Sequence, residues 1–239
     1  MTPVVFVHGF LGGSQQWKGQ IAALAGREVV AVDLPGFGDN AQTEPLDTIA
    51  AYATWVLDAL TSQGISHFNL VGHSMGGMIA QEMTLLAPDR VESLVLYGTG
   101  ATGVLPGRFE TIETSKLRAK SDGAKATAGR IVATWFLSPT ETETFETCLE
   151  IAEQTKLSAI LAGLEAMQTW NSADRLTSIT ARTLLIWGDQ DRTYPWSQTE
   201  HLWRALPDVR LAILPDCAHA AHLEKPDIFD ALLRDFFVS

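Results

Sequence analysis

Short apolar runs rich in β-branched residues alternate with segments of helical periodicity along most of the chain, and no other feature constrains the fold as strongly. The apolar runs predict strands at residues 4–7, 29–33, 68–71, 93–97, 183–187 and 210–214. The periodic segments predict helices at residues 15–24, 48–60, 75–86, 196–206 and 226–237. Strands that alternate with helices favour a mostly parallel sheet with helices on both faces, so we expect an α/β fold with about six strands.

Residues 101–176 depart from this pattern, because they contain helical stripes and no convincing strand. A capping box marks one helix start, with Ser138 as the cap, Pro139 after it and Glu141 three positions on. We expect three or four helices in this part of the chain. The 239 residues therefore divide into a core, residues 1–100 and 177–239, and an inserted helical cap, residues 101–176.

Acidic side chains outnumber basic ones by 28 to 17, which gives a formal net charge of −11. Such a chain offers no basic surface to a phosphate backbone, so we expect no nucleic-acid partner. No apolar run reaches the ~18 residues of a membrane span, and the first residues lack the pattern of a signal peptide. We expect a cytoplasmic protein in which Cys148 and Cys217 are reduced.

The motif with the clearest chemical meaning lies at residues 72–76, where Gly-His-Ser-Met-Gly stands between a predicted strand and a predicted helix. A serine at a sharp strand-to-helix turn exposes its hydroxyl, and small flanking residues let the strand and the helix approach each other. This context favours Ser74 as a nucleophile over a surface serine in an ordinary glycine-rich turn.

A serine hydroxyl becomes a good nucleophile when an imidazole accepts its proton and a carboxylate orients that imidazole. His219 and His222 are the candidate bases, because both follow the last predicted strand. We choose His219, which is nearer the strand end, and expect His222 to anchor the final helix. Asp191 and Asp189 are the candidate acids, because both follow the strand at 183–187, where functional groups of open α/β sheets gather. Of these two we choose Asp191.

Acyl transfer to a serine also requires N–H donors for the developing oxyanion. We expect one donor from Met75, the residue after the nucleophile, and another from Phe10 in the glycine-rich loop at residues 8–13. The same glycines are compatible with a phosphate-binding loop. That interpretation is weak, because the chain has neither a G-x-G-x-x-G nor a G-K-[ST] motif.

Together these motifs resemble the α/β-hydrolase superfamily, in its branch of esterases, enol-lactonases, C–C bond hydrolases and cofactor-free haloperoxidases with a small helical cap. The matching segments are residues 8–10, 33–38, 72–77, 187–191 and 219–226. The Ser, Asp, His order along the chain is also that of the superfamily. The resemblance implies that Asp191 rather than Asp189 orients His219, that the cap covers Ser74, and that no metal or organic cofactor is needed.

A serine nucleophile disfavours the haloalkane dehalogenase and epoxide hydrolase branches, which use an aspartate. The chain also begins almost at the third of the usual eight strands, which again predicts a six-stranded sheet.

Substrate choice is expected to lie in the cap. Among its aromatic residues, Trp135, Phe136 and Trp170 are the candidates for a substrate pocket, with packing inside the cap as the alternative. Five basic residues of the cap either attract an anionic substrate or form a solvated helix face; they are Lys116, Arg118, Lys120, Lys125 and Arg130.

The first functional hypothesis is a serine hydrolase that cleaves a small-molecule ester or lactone through an acyl-enzyme, with Ser74, His219 and Asp191 as the triad. An enol-lactonase, or a C–C bond hydrolase or lyase of the same fold, is the alternative within the superfamily. A ligand receptor with a vestigial triad is a third hypothesis, against which the intact set of Ser, His and Asp argues.

Overall fold

The computed structural model describes residues 1–106, 110–139 and 143–238. Within these residues, six strands form one sheet in the order β2-β1-β3-β4-β5-β6, and every neighbouring pair is parallel. The strands are β1 Val4–Val7, β2 Val29–Val32, β3 Phe68–His73, β4 Val91–Tyr97, β5 Arg182–Gly188 and β6 Val209–Leu214. The predicted α/β fold with a six-stranded parallel sheet is confirmed.

Helices precede, connect and follow these strands. In the described residues they are α1 Lys18–Ala23, α2 Ile49–Ser62, α3 Met75–Leu86, α4 Ile112–Asp122, α5 Ala124–Val132, α6 Glu143–Glu153, α7 Leu157–Thr169, α8 Trp196–Ala205, α9 Ala221–Glu224 and α10 Pro226–Val238. None of these helices is both long enough and apolar enough to pass through a membrane.

The sheet is buried on both faces, as the continuous apolar sequences of its central strands require. Along β1, Val5 and Val7 join the core that includes α2, α3 and α8, whereas Val4 and Phe6 join the core that includes α10. Successive side chains of a strand point to opposite faces, so this division follows from the strand geometry.

Strand β3 continues beyond its predicted end at residue 71 and includes Gly72 and His73. These two residues have low β propensity, but they pair in parallel with Leu96 and Tyr97 of β4. The sheet therefore extends directly to Ser74, with no intervening loop.

Within the described residues, four helices, α4 to α7, lie between β4 and β5, inside the segment expected as the helical insertion, residues 101–176. The described part of the insertion contains no strand, only an isolated bridge between Thr102 and Asn171. Glu141 of the predicted capping box lies outside the described residues, and the helix that follows begins at Glu143.

Glu82 on α3 ties the end of this insertion to the core. Its carboxylate accepts hydrogen bonds from Trp170 Nε1 at 3.0 Å and from both terminal nitrogens of Arg175, at 3.0 and 2.8 Å. Burial alone would raise the pKa of Glu82, but these donors lower it below its ordinary value. The ionised carboxylate is therefore the form that the fold stabilises.

Glu82→Gln is expected to lower the free energy of unfolding by about 1–3 kcal/mol at pH 7, since a charge-assisted bond to Arg175 is lost. A depressed pKa contributes stability that is present above the ordinary carboxyl pKa and lost as the pH falls through the folded-state pKa. Urea denaturation should therefore show the difference between Glu82→Gln and wild type narrowing from pH 5 to pH 3. Glu200→Gln, which removes a charge from a partly exposed pair on α8, is the control. A pH-independent difference would contradict this assignment.

Candidate active site

Ser74 occupies the turn between β3 and α3 in a strained backbone conformation, with φ 56° and ψ −120°. A non-glycine residue in such a region persists only where its surroundings hold it. Here Ser74 N donates to Tyr97 O at 3.1 Å, and Thr99 Oγ1 donates to Ser74 O at 2.8 Å. The end of β4 thus fixes the main chain of the serine on both sides.

Glycines let α3 begin directly against the sheet. A Cβ atom on Gly76 would lie 2.2 Å from Val7 O, and one on Gly72 would lie 2.5 Å from Gly76 O. No side chain fits at these positions without moving backbone. The small residues of the motif are thus a packing requirement of the turn that presents Ser74.

His219 and Asp191 form a buried hydrogen bond between Nδ1 and Oδ2 at 2.9 Å, and each side chain is only 1% exposed. A carboxylate only accepts hydrogen bonds, so Nδ1 carries the proton and Nε2 is left as the acceptor nitrogen. The other oxygen, Asp191 Oδ1, accepts from Thr193 N at 2.7 Å and Tyr194 N at 3.0 Å. The carboxylate is thereby held in place while it orients the imidazole.

The two competing residues have other partners. Asp189 Oδ1 accepts from Cys217 N at 3.3 Å, which braces the loop after β6. His222 Nδ1 lies 2.9 Å from Tyr97 Oη, and its ring packs 4.5 Å from that of Trp17. Burial, followed by the nearby His219, lowers the pKa of His222 to about 3. The structure thus brings Asp191, and not Asp189, into contact with His219.

Ser74 and His219 line the same cavity. Its apolar lining comes from Phe10, Leu105, Ile131, Trp135, Met167 and Tyr194. The cavity volume is ≈ 20 Å³, about what one water molecule needs. Ile131, Trp135 and Met167 belong to the helical insertion, which therefore covers the serine.

Of the three aromatic residues expected in a substrate pocket, only Trp135 lines this cavity. Phe136 packs edge-on against Phe145, with ring centroids 5.8 Å apart, because successive residues of the insertion point in different directions. Trp170 turns its indole N–H to Glu82. The structure places Phe136 and Trp170 in these packing contacts, and their part in a substrate pocket stays a prediction.

The two expected oxyanion donors lie beside Ser74. Met75 is the first residue of α3, where a helix leaves its N–H groups without intrahelical acceptors. Phe10 lines the cavity, and its loop adjoins the serine so closely that a Cβ on Gly9 would lie 2.8 Å from Ser74 Cβ. Both backbone segments are therefore positioned next to the serine, at a helix end that favours negative charge.

Residues 2–226 match the family model described as alpha/beta hydrolase fold. The chain belongs to this family. The RutD protein of Pseudomonas savastanoi pv. phaseolicola, provisionally named a carbamate hydrolase, is 29% identical over 242 residues, 98% of this chain and 93% of that protein. The 2-hydroxy-6-oxo-6-phenylhexa-2,4-dienoate hydrolase of Comamonas testosteroni is 29% identical over 250 residues, 98% of this chain and 86% of its own length.

The solved structure of the enol-lactonase from Burkholderia xenovorans LB400 superposes with a TM-score of 0.91 at 23% identity, over 100% of this chain and 92% of that one. At this identity the likeness concerns the fold. The family and its relatives identify the chain as a hydrolase without specifying the bond that it cleaves. Among the described residues of this α/β hydrolase, no group of three or more His, Cys, Asp and Glu side chains is arranged to hold a metal ion.

Glu224 is a site residue that the sequence did not single out in this α/β hydrolase. Its Oε2 accepts from Ala218 N at 2.6 Å, next to His219, and its Oε1 accepts from Leu137 N at 2.7 Å in the insertion. Ala220 N also donates to Trp135 O at 2.9 Å. The histidine loop and the insertion are therefore joined directly. The only sequence signal was an acidic residue before the proline of the final helix.

Glu224→Gln is expected to destabilise the protein by about 1–3 kcal/mol, because the new amide group presents N–H to a backbone N–H and leaves that donor unpaired. Urea denaturation at pH 7 measures the change. Glu92→Gln, at an exposed position of β4, is the control and should stay within about 0.5 kcal/mol of wild type. Equal stability of the two variants would show that the hydrogen bonds of Glu224 contribute nothing to the free energy of unfolding.

Proposed function

We propose that this hydrolase cleaves small, uncharged carboxylic esters or lactones through an acyl-enzyme on Ser74. The observation that carries the proposal is the meeting of a strained Ser74 and the buried Asp191–His219 hydrogen bond in one cavity. A nucleophile, a base and a residue that orients the base are the parts that acyl transfer needs. An intact set of this kind also argues against a receptor with a vestigial site.

In the first step Ser74 Oγ attacks the acyl carbon while its proton passes to His219 Nε2. The carbonyl oxygen becomes an oxyanion, which accepts hydrogen bonds from the N–H groups of Met75 and Phe10. The carbon–oxygen bond to the leaving alcohol then breaks, and the alkoxide takes the proton from His219.

In the second step water attacks the acyl carbon of the ester on Ser74, and its proton goes to His219. The intermediate collapses, the serine oxygen recovers that proton, and the carboxylic acid leaves. Asp191 accepts the Nδ1–H bond throughout and stabilises the imidazolium form that each step creates.

The cavity favours neutral substrates. Among the residues that the structure describes, no Lys, Arg, Asp or Glu side chain lines it. A carboxylate-bearing dienoate, the kind of substrate named for the Comamonas testosteroni relative, would be buried there without a cation, which is costly.

Three of the five basic residues named for the insertion pair with carboxylates of the insertion itself. Lys116 pairs with Glu165, and Arg130 pairs with Glu110, each at 2.5 Å. Arg118 also contacts Glu110, at 3.0 Å. These cations serve the packing of the insertion, which argues against the steering hypothesis.

Ser74→Ala is expected to abolish hydrolysis of p-nitrophenyl acetate, with a loss of around 10⁶-fold in kcat, because nucleophile and base act as a unit. Circular dichroism should show that the fold persists. A fluorophosphonate probe followed by peptide mass spectrometry should label Ser74 in the wild type. Labelling of a different serine, or substantial activity in the folded variant, would show that the active site lies elsewhere.

Two matched Asp→Asn substitutions test whether Asp191 or Asp189 is the acid of the triad. Asp191→Asn should lower kcat roughly 10³–10⁴-fold, because an amide disturbs the tautomer and orientation of His219. Asp189→Asn keeps an oxygen for Cys217 N and should retain most of the activity. Steady-state kinetics on p-nitrophenyl acetate measures both. The reverse order of damage would assign the acid to Asp189.

The small cavity predicts a preference for short acyl chains, with Trp135 setting the limit. Trp135→Ala should shift the kcat/KM ratio of p-nitrophenyl octanoate to p-nitrophenyl acetate at least tenfold toward octanoate, equal to about 1.4 kcal/mol. Phe136→Ala, at the neighbouring residue outside the cavity, is the control; it should lower the Tm by packing loss and leave the ratio near wild type. If both variants change the ratio equally, Trp135 does not set the limit.

A further inference from the structure

Thr193 follows the candidate acid by two residues and is fixed to it through the main chain. Its amide donates to Asp191 Oδ1 at 2.7 Å, while Asp191 Oδ2 contacts His219 Nδ1 at 2.9 Å. One carboxylate therefore sets the position of Thr193 relative to the histidine. This residue lines the same cavity as Ser74.

The hydroxyl of Thr193 is buried and has no hydrogen-bonding role in the fold of the described residues. The residue is 9% exposed, and within the part of the chain that the structure describes its Oγ1 has no hydrogen-bond partner. Such a group is costly unless something else completes its bonding, so the fold alone gives no reason for a hydroxyl here.

Thr193 differs from the other described residues with a buried, unpartnered polar atom in that it lines the cavity. Five other side-chain atoms of the described residues are also buried without a partner, and none of them belongs to a residue that lines this cavity. Thr134, a second threonine in the lining, already donates from Oγ1 to Ile131 O at 2.7 Å. Thr193 is thus the unpaired hydroxyl beside the reacting groups.

We propose that Thr193 determines specificity by hydrogen bonding to a hydroxyl or keto oxygen of the substrate, three or four bonds from the scissile carbonyl carbon. This inference rests on the proposed ester hydrolysis and narrows its substrates to oxygenated short-chain esters. The oxygen is close to the scissile bond because Thr193 lines the same small cavity as Ser74 and His219. It is uncharged because the described part of the lining includes no Lys or Arg side chain.

Matched esters test the proposal. Acid release from methyl butanoate, methyl 3-hydroxybutanoate and 2-hydroxyethyl butanoate is followed in a pH-stat for wild type, Thr193→Val and Thr193→Ser. The wild type should prefer one of the two hydroxylated esters, on the acyl or the alcohol side. Thr193→Val should lower the kcat/KM ratio of that ester to methyl butanoate at least tenfold, and Thr193→Ser should retain the ratio. An unchanged ratio in Thr193→Val overturns the inference.

The melting temperature, Tm, distinguishes a role of the Thr193 hydroxyl in specificity from a role in stabilising the fold. Valine replaces an unpaired buried hydroxyl by a methyl group, so Thr193→Val should keep or raise the Tm. Thr155→Val makes the same change at another buried, unpartnered hydroxyl outside the cavity, and should leave the ester ratio at its wild-type value. A marked fall in Tm for Thr193→Val would show that the hydroxyl has a structural bond, and would overturn the proposal.

A binding experiment keeps this inference distinct from the proposed function. If the wild type hydrolyses none of the three esters, ester hydrolysis fails. Calorimetric titration of Ser74→Ala with butanamide, 3-hydroxybutanamide and N-(2-hydroxyethyl)butanamide then tests Thr193 without turnover. One of the two hydroxylated amides should bind Ser74→Ala at least tenfold tighter than butanamide, and that advantage should vanish when Thr193→Val is added. Equal binding of all three amides to Ser74→Ala overturns the inference.

Discussion

The site depends on the direct contact between the start of α3 and the backbone of β1. Gly76 permits it, because a Cβ there would lie 2.2 Å from Val7 O. Because the helix lies so close, the chain must turn from strand to helix at Ser74 alone. Ser74 adopts φ 56° as a result. The same closeness places the amide of Met75 at the carboxyl edge of the sheet. A larger residue at position 76 would move the helix, the nucleophile and this donor together.

A second constraint is that the carboxylate of Asp191 acts on two loops at once. Oδ2 orients His219, while Oδ1 holds the amides of Thr193 and Tyr194. The Tyr194 ring then lies nearly parallel to the imidazole, with centroids 5.6 Å apart at 8°. Asp191 therefore fixes the position of His219 and also of Tyr194, which lines the cavity. A change at Asp191 would disturb Thr193 and Tyr194 as well as His219, which is why the neutral exchange at Asp189 is the informative comparison.

The features predicted well from sequence were those encoded in neighbouring residues. The six strands and the strand-turn-helix around Ser74 rest on local periodicity and glycine spacing. Which aromatic residues of the insertion face the cavity could not be predicted in the same way, because sequence periodicity does not show which side chains meet another element. Thr193 was missed for a related reason: whether a buried hydroxyl has a partner depends on residues distant in sequence.

Three histidine rings, those of His73, His219 and His222, lie close together, and of these only His219 lines the cavity with Ser74. The ring of His73 lies 4.6 Å from that of His219 and 5.5 Å from that of His222, so charge on more than one would be strongly repelled. Burial lowers the pKa of His73 well below its ordinary value, and the two neighbouring imidazoles lower it further. His73 instead places Nε2 3.1 Å from His219 O, which its N–H can bond. Neutral neighbours leave the imidazolium of each proposed step on His219, whose contact with Asp191 stabilises it.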